Sequence, residues 1–564
     1  MTKHELDNSR WWERAACIGC SSPVPYSHRV GTETRGNGVE PTGRLELTWA
    51  NKHLRLITTE DGGYDWVAPD DARANEVRLL HEVGGFGEPA SQGGNLLVEG
   101  DALHVLTALN RIPALADQYA GKVRLVYIDP PFNTGQAFAH YDDNLEHSVW
   151  LSMLRDRLVQ LRPLLAPNGS IWVHLDDAEV HRCRVVMDEV LGSANFVATV
   201  AWQKAHSRRN DATLMSSAHD QLLVYAKDKT ALSFNRLPAG ESTRRNYTNP
   251  DGDPRGDWIS IPFHAPNIRP NLTYPIVGPS GREHWPPEGR CWSTTQDRFE
   301  VLLAEGRMYF GQHGDGVPRR KRYWNEEAPT VVPWTWWSRD EVGDNQEARS
   351  EARAITGSRT AFATPKPERL MRKVVQIATD PGDVVLDCFA GSGTTAAVAH
   401  KMDRRWVTSE REPATVEEFT RPRLERVVAG EDPGGVTLAE GWAGGGGFHH
   451  VRVGPSMFDF DEDSGDVFLA DWATNGAFSA AVAAQLGFEP IEDQPFCGTI
   501  GRTRLAVLDG VVGEAEIEYL VSCLGERERM VVVGKALTDG AEATLRRLSP
   551  GSRSGSPDGL TVTR

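Results

Sequence analysis

Val123-Arg124-Leu125-Val126-Tyr127-Ile128 runs directly into Asp129-Pro130-Pro131-Phe132. The first six residues read as a short buried strand, rich in β-branched and aromatic side chains. Two prolines cannot continue a central ladder, so the chain turns at Asp129. Beyond the turn, Trp150, Met153, Leu154, Leu158, Leu161 and Leu165 recur at three- and four-residue spacing, which predicts a helix. Pro167-Asn168-Gly169 ends it. Further strands are expected at 171–175, 196–202 and 222–226, with a helix over about 178–191. Strands alternating with helices predict a mostly parallel sheet covered on both faces.

A second α/β stretch spans 366–430. Asp383-Val384-Val385-Leu386-Asp387-Cys388-Phe389 reads as a strand leading into Ala390-Gly391-Ser392-Gly393-Thr394-Thr395 and a helix of small residues. Glycines between a strand and a helix let the backbone approach a ligand, and the helix start offers unpaired N–H groups. Trp406-Val407-Thr408-Ser409-Glu410 is the next strand, and its closing carboxylate is placed to take two ribose hydroxyls. The loop also satisfies the G-x-G-x-x-A dinucleotide fingerprint, so a nicotinamide-dependent oxidoreductase stays open on this motif alone, as does a tight turn with no ligand. No G-x-x-x-x-G-K-[ST] occurs, which argues against an NTP-driven motor.

Asp129-Pro130-Pro131-Phe132 carries more specific chemistry. Functional groups of open α/β sheets gather at the carboxyl ends of strands. There the Asp129 carboxylate and the Pro130 carbonyl, both acceptors, converge on one point. An exocyclic amine carries two hydrogens and matches such a pair. Phe132 offers a face for a planar base, and a base reaches such a pocket only when flipped from its duplex. The plain alternative is a strand-ending turn.

Composition narrows the class. The chain has 564 residues, enough for about two to four domains. Its formal net charge is 61 − 78 = −17, with 40% hydrophobic and 25% charged residues, ordinary for a globular protein. No run of 18 or more apolar residues, about the length of a membrane span, is present, and no secretory signal is read at Met1 to Glu5. Seven scattered cysteines make no disulfide framework and fit a reducing cytoplasm. Cys17-Ile18-Gly19-Cys20 is half of a zinc-ribbon spacing without a second half, so no metal is expected. Leu45 to Trp49 alternates like a strand. Over 201–325 there are 18 Lys and Arg against 13 Asp and Glu; from 430 onward there are 10 against 21. A polyanion is therefore expected at the middle. Regular periodicity is lost over 231–362, where Arg319-Arg320-Lys321-Arg322 stands among aromatics. Gly444 to Gly447 reads as a junction to a small unit with strands near 504–508 and 530–533, and His449-His450 as surface residues.

Taken together, Asp129-Pro130-Pro131-Phe132 resembles the D-P-P-[YF] motif of amino-group DNA methyltransferases, and Phe389 to Thr395 resembles their F-x-G-x-G motif for S-adenosylmethionine. The catalytic motif comes first, as in the circularly permuted β class. Tyr127 to Gly135, Asp176-Asp177, Thr364 to Glu368 and Glu99-Gly100-Asp101 resemble the Mod subunits of type III restriction–modification systems. The resemblance implies a permuted seven-stranded Rossmann-like sheet in two parts, 76–230 and 363–440. An N-terminal arm (1–75), a target-recognition insert (231–362) and a small C-terminal α/β domain (441–564) complete the chain. It implies methylation of adenine N6 in double-stranded DNA, with cytosine N4 the alternative. A catalytically silent DNA-binding subunit is a further alternative. Asp129, Pro130, Pro131 and Phe132 would be catalytic. Asp387, Phe389, Ala390, Gly391, Ser392, Gly393, Thr394 and Glu410 would hold S-adenosylmethionine, with Asp101 and Lys366 as further pocket residues. Arg319, Arg320, Lys321 and Arg322 would contact DNA. A homodimer and a Res-type ATP-dependent nuclease partner are also implied.

Overall fold

The computed structural model describes residues 45–59, 63–88, 94–133, 146–208, 212–326, 330–356, 362–461 and 467–556. The chain divides into two units, 1–45 and 46–564, and the described fold belongs to the second. Cys17, Cys20 and the Thr134-Gly135 end of the catalytic motif lie outside the described residues.

The fold is mixed α/β, built on a sheet of ten strands. In chain order they are β1 (Leu80–Gly87), β2 (Asn95–Glu99), β3 (Val123–Ile128), β4 (Leu165–Leu175), β5 (Phe196–Gln203), β6 (His219–Ala226), β7 (Trp336–Trp337), β8 (Val384–Asp387), β9 (Arg405–Glu410) and β10 (Gly447–Val453). Their order across the sheet is β7-β5-β6-β4-β3-β8-β9-β2-β10-β1. All neighbours are parallel except at β6, which runs antiparallel to β5 and β4, and at β1, antiparallel to β10. The sheet is wider than the expected seven strands because β7, β10 and β1 pair onto its two sides.

Alternation along the central strands feeds two cores. Val126, Ile128, Val384 and Leu386 enter one apolar cluster. Leu125, Tyr127 and Val385 enter the other. A parallel sheet buried on both faces needs such uninterrupted apolar runs. The helices that position the site are α1 (Ala102–Arg111), α2 (His147–Leu164), α3 (Glu368–Ala378), α4 (Thr394–Lys401) and α5 (Arg421–Ala429).

Three expected boundaries move. Residues 46–75 are no separate arm: a hairpin at 55–58 and 64–67 packs on α2, where Arg55 meets Asp156 at 3.0 Å. Leu45 to Trp49 forms no strand; Trp49 instead donates to Ser152 at 2.7 Å. The boundary at 440/441 shifts past 453, since β10 pairs with both β2 and β1. His450 is thereby buried, 3.7 Å from Glu99, rather than a surface residue. The insert closes before its expected end at 362, because β7 has already rejoined the sheet beside β5. Within the insert, Phe263, Trp292, Phe299 and Phe310 form a small core of their own. The C-terminal unit is a five-stranded sheet whose third and fourth strands, Thr503–Val512 and Arg529–Leu537, contain the runs read as strands.

Candidate active site

The strand order reverses between β3 and β8. The chain continues from β8 to β9 on one side, while β3 and β4 lie on the other. This is where an open α/β sheet opens a crevice at the carboxyl ends of its strands. A cavity of about 810 Å3 lies there, lined by Asp129, Pro130, Phe132, Asp387, Gly391 and Glu410 among others. That volume is in the range of small-molecule and cofactor sites.

The catalytic-motif side is held rigidly. Trp150 Nε1 donates to the Pro131 carbonyl at 2.7 Å, which fixes the turn that two prolines start. Phe132 stacks on His174, with centroids 5.8 Å apart and planes 30° apart. His174 is fully buried; its Nδ1 lies 2.7 Å from the Tyr127 hydroxyl and its Nε2 3.4 Å from Asp220. Burial, and the charge of Lys366, hold the His174 imidazole below its ordinary pKa, so a neutral ring backs Phe132. One Asp129 oxygen accepts from the Lys366 ammonium. The other, Oδ1, is buried and has no hydrogen-bond partner among the described residues. A buried acceptor left unpaired is costly, and a donor entering the cavity would relieve it.

On the other side, Gly391 and Gly393 have φ of 50° and 76°, in the left-handed region where a side chain is strained. A Cβ on Gly391 would lie 3.0 Å from Phe362 Cζ. The loop is pinned by Thr420 Oγ1 donating to the Gly391 carbonyl at 2.7 Å. Arg423 donates to Thr394 Oγ1 at 2.8 Å and to the fully buried Glu368 at 2.8 Å. Glu410 accepts from Gly391 N at 2.8 Å and from Glu412 N at 3.0 Å, and burial raises its carboxyl above the ordinary range. Asp387 accepts from Phe389 N at 3.0 Å. Burial, with Asp129 and Glu410 nearby, pushes the Asp387 carboxyl up to about 7.

Asp129 and the glycine loop thus share one cavity, and comparison with known proteins points the same way. The N6/N4 DNA methylase family model matches residues 123–421 of the 564. The chain belongs to this DNA methylase family. The StyLTI Mod subunit of a type III restriction–modification enzyme from Salmonella typhimurium is 30% identical over 388 residues, 59% of this chain and 57% of the relative. The type II methyltransferase M.EcaI from Enterobacter cloacae is 28% identical over 295 residues, 51% of this chain and 61% of the relative. The match therefore spans less than two thirds of either relative. The solved structure of the cytosine-N4-specific PvuII DNA methyltransferase is similar with a TM-score of 0.33 and 17% identity, over 60% of this chain and 89% of that one.

Against the family motifs, most expected site residues converge on the cavity. Phe389, Ala390, Ser392 and Thr394 line it with Asp387. Asp101 and Lys366, expected as further pocket residues, line it as well. Asp101 lines the cavity but caps α1, accepting from Leu103 N at 2.7 Å, and pairs with Arg157 at 2.7 Å. Burial alone would raise its carboxyl; Arg157 and His104 hold it below the ordinary value. Lys366 places its ammonium on Asp129 and beside the Phe132 ring.

The basic cluster is split by strand alternation. Arg319–Tyr323 is a strand paired antiparallel with Trp258–Pro262. Lys321 is buried and paired with Asp251 and Asp253, and Arg319 donates to Ser260 Oγ at 2.9 Å. Only Arg320 and Arg322 of the four are exposed. A strand sends neighbours to opposite faces, so four consecutive cations cannot form one surface. Sequence reasoning missed Lys204, His174 and Asp220, which reach the motif through strand pairing rather than through any local signature.

Proposed function

We propose that this chain transfers the methyl group of S-adenosylmethionine to adenine N6 of a base flipped out of double-stranded DNA. The observation that carries this reading is the unpaired, buried Asp129 Oδ1 beside Phe132, in one cavity with the Gly391–Gly393 loop. The residues present fit the cofactor. The left-handed glycines keep the loop backbone free of side chains where it meets the cavity, Glu410 suits a ribose, and Asp387 and Asp129 suit a cationic group. Bound there, S-adenosylmethionine would supply an already activated methyl on its sulfonium.

The chain's own residues then have modest tasks. Phe132, backed by His174, stacks the base. Asp129 Oδ1 and the Pro130 carbonyl accept from the amine, orient its lone pair toward the methyl, and stabilise charge developing on nitrogen. The Pro pair and the Trp150 bond keep these acceptors from relaxing toward water.

The order of β3 before β8 supports the circularly permuted β-class arrangement, and the small core at Phe263 to Phe310 supports the insert as the target-recognition region. The relative named as a Mod subunit of a type III restriction–modification enzyme supports a place in such a system. The homodimer and the Res-type partner belong to the proposal through the resemblance of the motifs alone.

The test is transfer of labelled methyl to unmodified duplex DNA, followed by digestion to nucleosides, with Asp129→Ala alongside. Label in N6-methyladenine, reduced on the order of 10²–10³-fold in the variant, is expected. Label in N4-methylcytosine would overturn the base assignment. Absence of label despite cofactor binding would overturn the DNA reading.

A further inference from the structure

Leu214 and Met215 are 95% and 93% exposed, the two most exposed large apolar side chains among the described residues. They lie on the connection between β5 and β6, and that connection lines the same cavity as Asp129 and Phe132. Single exposed apolar groups are ordinary on a protein surface. An adjacent pair, almost wholly in water at the mouth of a catalytic cavity, is not explained by packing.

The stem below them is well held. Gln203 pairs with His219, and Lys204 N donates to the Ala218 carbonyl at 2.9 Å. Lys204 Nζ meets Asp220 at 2.5 Å, and Asp220 faces His174, the ring on which Phe132 stacks. The stem is therefore keyed to the base-stacking residue while the tip side chains point into solvent. Exposed Arg208 lies on the same connection, and exposed Arg349 stands in the cavity lining. Apolar tips among cations match a nucleic-acid duplex, whose stacked bases lie between phosphates.

We propose that Leu214 and Met215 form the wedge that enters the base stack where the target nucleotide leaves it; this rests on the DNA-methylation reading above. Flipping a base opens a gap and breaks stacking on both sides. Two apolar side chains inserted there leave water and cover the exposed base faces, which holds the duplex open. The wedge acts on opening the pair, and not on the transfer of methyl to a base already extrahelical.

That separation sets the experiment. The site would be mapped by sequencing plasmid DNA methylated by the full chain. Two synthetic duplexes bearing it would follow, one fully paired and one with the target base opposite an abasic position. Leu214→Ser/Met215→Ser is compared with wild type on both. On the paired duplex the variant is expected to lose about 10- to 100-fold in methyl transfer. On the abasic duplex it is expected to match wild type, with an unchanged unfolding temperature, since neither side chain is packed. Equal loss on both duplexes, or no loss on either, would overturn the wedge; the latter would mark the pair as a contact for something other than the base stack. Should wild type itself transfer no methyl to plasmid DNA, the DNA reading falls and the wedge with it.

Discussion

The Lys366 ammonium donates to Asp129 Oδ2 while lying 5.1 Å from the centroid of the Phe132 ring. One cation thus touches both groups that the proposed reaction needs for the target base. It pairs one carboxylate oxygen and leaves Oδ1 buried and without a hydrogen-bond partner among the described residues, on a side chain that lines the cavity.

Removing that cation leaves the Asp129 carboxylate without its partner. Lys366→Met, which keeps the apolar stem, is expected to lower stability by about 1–3 kcal/mol, the cost of a polar group deprived of its bond. Methyl transfer should fall as well, because Asp129 is no longer held in place, and Lys366→Arg should recover part of it. Thermal unfolding and single-turnover transfer, run on the same preparations, check both. Unchanged transfer in Lys366→Met would mean that Asp129 is positioned by Pro130 and Pro131 alone.

The insert offers a test of alternation. Arg320→Ala/Arg322→Ala removes two exposed charges from one face. If both contact phosphates, the slope of log affinity against log salt should fall by about 1.8, at roughly 0.9 per contact, with stability unchanged. Lys321→Ala should act in the opposite manner. It strips a buried partner from Asp251 and Asp253 and is expected to cost about 1–3 kcal/mol. Equal effects of the two variants on the salt slope would contradict the split.

Why the insert was hard to read follows from its construction. The strands β3, β8 and β9 are legible because both faces are buried, and β-branched runs ending in Asp129-Pro130, Asp387 and Glu410 mark their carboxyl ends. The two halves of the site are legible for the same reason, as each is a strand end followed by a turn of fixed chemistry. In the insert, strands are two to five residues long, so periodicity has no room to appear. His174 and Asp220 face each other only because β4 and β6 pair in one register, which no local pattern encodes. β10 was obscured by the glycine run in front of it, which resembles a linker and instead makes a tight entry. There the Gly430 backbone would lie 2.8 Å from a Cβ on Gly444.

The glycine loop predicts a binding defect separable from unfolding. Gly391→Ala places a Cβ 3.0 Å from Phe362 Cζ at a φ of 50°. The left-handed conformation costs about 1–2 kcal/mol for a residue with a Cβ, and the ring must also shift. S-adenosylmethionine binding, followed by calorimetry, should weaken by about tenfold or more, corresponding to about 1.4 kcal/mol per factor of ten. Gly382→Ala is a useful control. Its φ is 86°, yet nothing lies within 4 Å of its Cβ, so it carries the strain without the obstruction.

In the proposed cofactor site, Asp387 confers a sensitivity to pH. Burial lifts its carboxyl from an ordinary 3.8 to about 7. An acid raised in the folded state binds its proton more tightly there than in the unfolded chain. Its contribution to stability is therefore full below the ordinary value and is lost as pH rises toward about 7. Cofactor binding runs the other way, because the sulfonium and amino group favour an ionised carboxylate. Affinity for S-adenosylmethionine should strengthen as pH rises through about 7, with a slope approaching tenfold per unit on the acid side. The gain in unfolding temperature on adding cofactor should accordingly be larger at about pH 8 than at about pH 6. Asp387→Asn, neutral throughout, should flatten both trends and raise stability of the ligand-free chain at alkaline pH. A cofactor affinity in the Asp387→Asn variant that still rises through this interval would assign the titration to another group, with Glu410 the next carboxyl raised by burial at the same loop.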